Sequence, residues 1–195
     1  MRLSRRSVSY EDDMHIMIAI LLLVISSLSY GGELAWLGPD RNKWPDTEFR
    51  KTKNDFAAML LVTPDTDWEH KWNTPPDTIP RFREAKTVKI GEELVILTFF
   101  VNPKSDAKNN ANVVCSIKVT RPDKTVSVNQ RGIPCMKGEM KGNPNNIRLS
   151  PAVIRFVGER TDPPGEWVVD VEVEDVYRNT RIPLRTRFVL QGSSG

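Results

Sequence analysis

An all-β sandwich is the fold class this sequence predicts, and three observations predict it. Residues 94–101 read Leu-Val-Ile-Leu-Thr-Phe-Phe-Val between Gly91 and Asn102-Pro103, a β-favouring run closed by a turn dipeptide. From Lys86 onward, short runs of this kind recur with turn residues between them, and 14 prolines and 11 glycines fit many tight connections. The last two runs, 167–173 and 182–190, alternate apolar and polar residues with the period of a half-buried strand.

Residues 94–101 organise the rest. Both its even positions (Leu94, Ile96, Phe100) and its odd ones (Val95, Leu97, Phe99, Val101) are apolar, so both faces of that strand require cover. The 195 residues, 39% hydrophobic and 27% charged, are enough to bury one core. A net charge of +3, with acidic and basic residues mixed and no basic stripe, argues against nucleic acid as a partner.

Arg2, Arg5 and Arg6 precede an apolar run at 16–25 and then small residues from Ser26 to Gly32, the layout of a secretory signal peptide. Residues 1–31 are therefore expected to be a signal peptide, or an uncleaved anchor in which 16–30 tether the chain, and the remainder is expected to be exported to the periplasm or beyond. Any membrane association would run through that segment alone. Residues 32–85 are expected to form an arm, one strand and one short helix covering the sandwich, with the sandwich at 86–191 and a flexible tail at 192–195.

Within the arm, Phe56-Ala57-Ala58-Met59-Leu60-Leu61-Val62 suits a buried strand, expected to cover the second face of 94–101. Residues 65–72 suit a short helix, Thr66 and Glu69 having capping-box spacing and Trp68 and Trp72 falling on one face. Asn73-Thr74-Pro75-Pro76 stops it. Thr87 to Ile90 and then 94–101 open the strand series. Val113, Cys115, Ile117 and Val119 point inward on the next strand, Arg121-Pro122-Asp123-Lys124 turn, 125–128 form a short strand, and 132–146 read as a long loop. A strand over 147–157 bends at Pro151. In the last hairpin, a loop at 176–181 pairs Val173 with Leu184, Val169 with Phe188 and Trp167 with Leu190, setting Glu172 opposite Arg185 and Asp170 opposite Arg187.

Cys115 and Cys135 are expected to form a disulfide, since an exported chain with two cysteines joins them and neither C-x-x-C spacing nor neighbouring histidines suggest a redox or metal pair. His70, near Asp65, Asp67 and Glu69, is a candidate base or ligand weighed against a solvated helix residue. Trp68 and Trp72 are a candidate aromatic platform weighed against a packed apolar face. Asp170, Glu172 and Glu174 fit a cation site less well than a charge ladder with the facing arginines. No G-x-S-x-G or comparable motif occurs, and no cofactor or metal is expected.

From Thr87 to Leu190, and above all in Pro164-Gly165-Glu166-Trp167 leading into an alternating strand, an acidic turn at Asp175 and a final alternating strand, the sequence resembles bacterial immunoglobulin-like and fibronectin-type-III-like sandwich domains. That resemblance implies an antiparallel sandwich and no particular activity. The expectation for function is a non-enzymatic exported protein that binds a protein partner, or itself, as an accessory in the cell envelope. The alternatives are a carbohydrate or small-ligand module using Trp68 and Trp72, and a hydrolase or metal enzyme centred on His70.

Overall fold

The computed structural model describes Trp36, residues 44–75 and residues 80–192; the expected targeting segment at 1–31 and residues 193–195 of the expected tail lie outside the described residues. Among the described residues, ten strands and one short helix follow in order: β1 Arg50–Lys53, β2 Phe56–Thr63, α1 Trp68–Trp72, β3 Thr87–Lys89, β4 Glu93–Val101, β5 Asn110–Thr120, β6 Val126–Glu139, β7 Arg148–Leu149, β8 Ile154–Val157, β9 Gly165–Asp175 and β10 Thr180–Gln191. They make a β-sandwich. One sheet runs β1-β2-β4-β7, with β8 also on β4, and the other runs β3-β10-β9-β5-β6. All pairings are antiparallel except β3 with β10.

Alternation decides what each strand gives the core. Phe56, Leu60, Leu94, Ile96 and Phe100 from the first sheet meet Ile117, Trp167, Val171, Ile182 and Phe188 from the second. Trp167 stacks on Phe188 with centroids 6.2 Å apart, and Phe156 meets both rings at 4.8 and 4.6 Å. The Trp167 indole N–H donates to the Pro163 carbonyl at 3.2 Å, so its polar edge is satisfied at the sandwich end.

Both faces of β4 are buried, as its sequence requires. Residues 56–62 do not cover the second face, contrary to expectation. β2 is a strand, but it lies beside β4 in the same sheet, with Leu61 opposite Leu97, and so extends the face instead of covering it. Cover comes from Trp36, Trp68, Trp72 and Phe82, which close over Val95, Leu97, Phe99 and Val101 in a second apolar layer. A continuous apolar run such as 56–62 can pair beside a strand as readily as it can stack on it, and the pattern alone does not distinguish the two.

Three local expectations are corrected. The final hairpin has a four-residue loop, 176–179, so Val173 faces Ile182, Trp167 faces Phe188, Asp170 faces Arg185 and Glu174 faces Arg181. The register differs by two from the expected one, which leaves every residue on its expected face and changes every partner. Cys135 lies in a strand, not a loop, because β6 continues to Glu139 through register shifts against β5 and through Gly132 and Gly138 at φ +68° and +126°. Pro134 is tolerated there because β6 is an edge strand. The segment around Pro151 is broken into β7 and β8, with the Ser150 amide donating to the Thr98 carbonyl at 2.9 Å between them.

The expected disulfide joins Cys115 on β5 to Cys135 on β6, with Cα atoms 5.8 Å apart. The Ser150 hydroxyl, in the other sheet's β7–β8 connection, donates to Cys135 Sγ at 2.9 Å, so the bridge is tied across the sandwich. Among the described residues no helix is long and apolar enough to cross a membrane.

Candidate functional site

Helix α1 begins at Asp67, whose side chain makes no capping bond, so the capping box expected from Thr66 and Glu69 does not form. What holds the helix is Asp65, buried to 1% exposure. Its carboxylate pairs with Lys71 Nζ at 2.7 Å, and accepts from Arg83 Nε at 2.7 Å and from the Arg83 backbone N–H at 2.9 Å. Burial pushes this carboxyl's pKa up, but the Lys71 ammonium and the two Arg83 donors outweigh burial and hold it well below the usual carboxylate range. One aspartate thus fastens the helix and the following chain over the outer face of the first sheet.

Trp68 and Trp72 are half-buried in that layer, and Trp72 packs on Phe99 with centroids 5.5 Å apart. The Trp68 indole N–H is buried and makes no hydrogen bond among the described residues. His70, between them, is exposed and has no hydrogen-bond or ion-pair partner among the described residues. Nor do the described residues contain a group of three or more His, Cys, Asp or Glu placed to hold a metal ion. Helix α1 therefore brings the two tryptophans together, and it brings no nucleophile or second histidine to His70.

On the outer face of the second sheet, Asp170 pairs with Arg185 at 2.6 Å and Glu174 with Arg181 at 3.2 Å. Glu172 lies between these pairs, opposite Ser116 and Pro183. Arg187, expected on Asp170, instead pairs with Glu48 at 2.5 Å and Glu166 at 3.7 Å. This is a charge ladder displaced by one step, as the register shift dictates.

The most heavily organised surface is one end of the sandwich, where the β1–β2, β4–β5, β6–β7 and β9–β10 connections meet. Arg178 is its hub. Its Nη1 donates to the Asn54 carbonyl and its Nη2 to the Asn102 carbonyl, each at 3.0 Å, while Nε reaches Asp175 at 3.2 Å. Asp175 is fully buried and also accepts from the backbone N–H groups of Lys104 at 2.7 Å and Arg178 at 3.1 Å. Asn102 ties on by donating from Nδ2 to the Asp55 carbonyl at 2.7 Å and from its amide to the Pro144 carbonyl at 2.9 Å.

Of the six non-glycine residues with positive φ among the described residues, five sit at this end: Asn54, Asp55, Asn102, Asn109 and Asn179. Asn and Asp tolerate the left-handed region best, and tight turns there need it. Outward from this fixed base stand Val176 and Tyr177, 38% and 40% exposed. This end is a hydrogen-bonded, mixed polar and apolar loop face on a disulfide-bearing scaffold. Sequence reasoning marked Asn102 and Asp175 only as turn residues and gave Arg178 no role. The available signal was the recurrence of Asn beside turn residues, together with an acidic residue three before an arginine in the hairpin loop.

No protein-family model and no curated protein match this chain. Solved structures similar to it include a family 123 glycoside hydrolase from Clostridium perfringens, at 11% identity and TM-score 0.39, covering 69% of this chain and 27% of that one. The chain thus spans about a quarter of the hydrolase's length. The CARDB domain of a Pyrococcus furiosus protein in complex with di-metal ions matches at 8% identity and TM-score 0.34, with 75% and 97% covered. A Niemann-Pick type C2 protein from the Japanese carpenter ant matches at 9% and 0.30, with 68% and 89% covered. Likeness this loose attaches no family, ligand or reaction to this chain.

Proposed function

We propose that this chain is an exported, non-enzymatic accessory domain of the cell envelope or periplasm that binds another protein through the loop end organised by Arg178. The observation that carries this reading is the locked base beneath Val176 and Tyr177. Tight turns at Asn54, Asp55, Asn102, Asn109 and Asn179, tied together by the Arg178 and Asp175 hydrogen bonds, fix the loop face before any partner arrives. A pre-ordered loop face lowers the entropy cost of association, and exposed tyrosine is a favoured contact residue. The disulfide and the basic-then-apolar N-terminal sequence support export.

The test is site-resolved photo-crosslinking in the native cell. With p-benzoylphenylalanine in place of Tyr177, illumination should give one adduct of defined mass. The same probe in place of Lys124, at the opposite end of the sandwich, should give none. Equal labelling at both positions, or none at Tyr177, refutes the proposal.

A further inference from the structure

A second surface lies on the open side of the sandwich, away from the loop end. There two stretches of chain cross between the sheets. In the first, the Glu48 carbonyl accepts from Arg185 of β10 at 2.7 Å and the Phe49 carbonyl from Leu60 of β2 at 2.8 Å. In the second, the Ala85 amide donates to Val62 of β2 at 3.0 Å and the Lys86 carbonyl accepts from Val189 of β10 at 2.9 Å. Beyond Val189, β3 takes over as the neighbour of β10.

Between the crossings β10 is briefly an edge. Residues 185, 187 and 189 turn their backbone groups to the same side, so the Arg187 N–H and C=O face outward between the two covered positions. Among the described residues no strand or crossing pairs with them. The gap from Arg185 to Val189 is about 14 Å of strand at about 3.4 Å per residue.

Beneath the gap a side chain is missing from the core. The inward series of β10 reads Ile182, Leu184, Thr186, Phe188, Leu190, and four of these are fully buried hydrophobics. Thr186 is half-buried, and its hydroxyl makes no hydrogen bond among the described residues. Its small size, with Ala85 opposite, leaves a pocket of about 320 Å3 with Leu60, Val62 and Phe188 as floor. Phe49 and Val189 stand at its mouth, 38% and 39% exposed.

We infer that this corner is a docking site for an extended peptide segment of a partner protein, which forms a β-bridge with Arg187 and lodges one large apolar side chain against Thr186. The unmatched N–H and C=O select the occupant. Extended backbone satisfies both at once, whereas a small apolar molecule leaves them bare. The gap is too short to take the long sheet edge of a second copy. Its rim carries Glu48, Glu84 and Glu166 against Lys86, Arg185 and Arg187, a balance that favours no strongly charged peptide and fits an uncharged anchor.

A random heptapeptide display library selected against the full chain, with a Thr186→Leu variant for counter-selection, provides the probe. Enriched peptides should share one large apolar residue. Synthetic copies should bind at least tenfold more weakly to Thr186→Leu, whose added bulk fills the pocket. Independently of any variant, exchange of the Arg187 amide should be fast in the free chain and slow at least tenfold with peptide bound. No enrichment, equal binding to the variant, or an Arg187 amide already protected in the free chain overturns the inference. Protection that grows with protein concentration alone assigns the edge to a second copy and overturns it as well.

Discussion

Replacing Asp65 with Asn tests how the outer layer is held. The substitution keeps size and an acceptor for the Arg83 backbone N–H, and it removes the charge that faces Lys71 and Arg83 at 2.7 Å each. Charge-assisted bonds of this kind contribute about 1.5–3 kcal/mol apiece when both partners are buried. Here only the aspartate is: the Arg83 side chain is 74% exposed and the Lys71 side chain 28%, so both cations regain water in the variant. The expected loss is therefore about 2 kcal/mol, well short of the 3–5 kcal/mol for stranding a fully buried charge.

The pH dependence identifies the cause. The folded-state pKa of Asp65 is depressed, so the unfolded chain binds a proton first as pH falls. The aspartate's contribution is complete above the unfolded value of about 3.9 and disappears as pH descends through the carboxylate range toward the lower folded value. Urea melts of wild type and Asp65→Asn, followed by tryptophan fluorescence, should differ by about 2 kcal/mol at pH 7 and converge in acid. A difference below about 0.5 kcal/mol at pH 7, the scatter of ordinary surface substitutions, refutes the account. So does one that stays constant down to pH 2.

Two further outcomes are expected. Arg178→Ala leaves Asp175 buried without its cation and frees the carbonyls of Asn54 and Asn102, so it should cost about 3–5 kcal/mol in a urea melt and abolish crosslinking from position 177. Cys115→Ser with Cys135→Ser opens a loop with sequence separation 20 and should cost about 3 kcal/mol, read as a lower melt midpoint that reducing agent no longer shifts.

The sandwich was legible because alternation is a local property. Val113, Cys115, Ile117 and Val119 face inward, as do Trp167, Val169, Val171 and Val173, because a strand's side chains have only two directions to take. Apart from the disulfide, what escaped was detail set by distant partners. Alternation fixes register only modulo two, and two opposite charge pairs fit either register. The turn decides: Asp175 accepts from Arg178 and Lys104 and Asn179 adopts φ +52°, which closes the hairpin after four residues. β6 hid its length for a related reason, since glycine and proline signal a loop unless an edge position and bulges absorb them.

The same distinction governs the candidate sites. Trp68 and Trp72 were conspicuous because helical spacing brings them together without help from the rest of the chain. Arg178 and Thr186 were inconspicuous because each acquires its role from residues far along it, Asn54 and Asn102 for the one, Leu60 and Ala85 for the other. The inward series of β10 did carry a trace, for a threonine stands where four neighbouring positions are Ile, Leu, Phe and Leu. Read alone, that is a tolerated polar residue. It becomes a pocket because the crossings at Glu48–Phe49 and Ala85–Lys86 pass on either side of it, leaving both the core and the sheet edge open at the same residue.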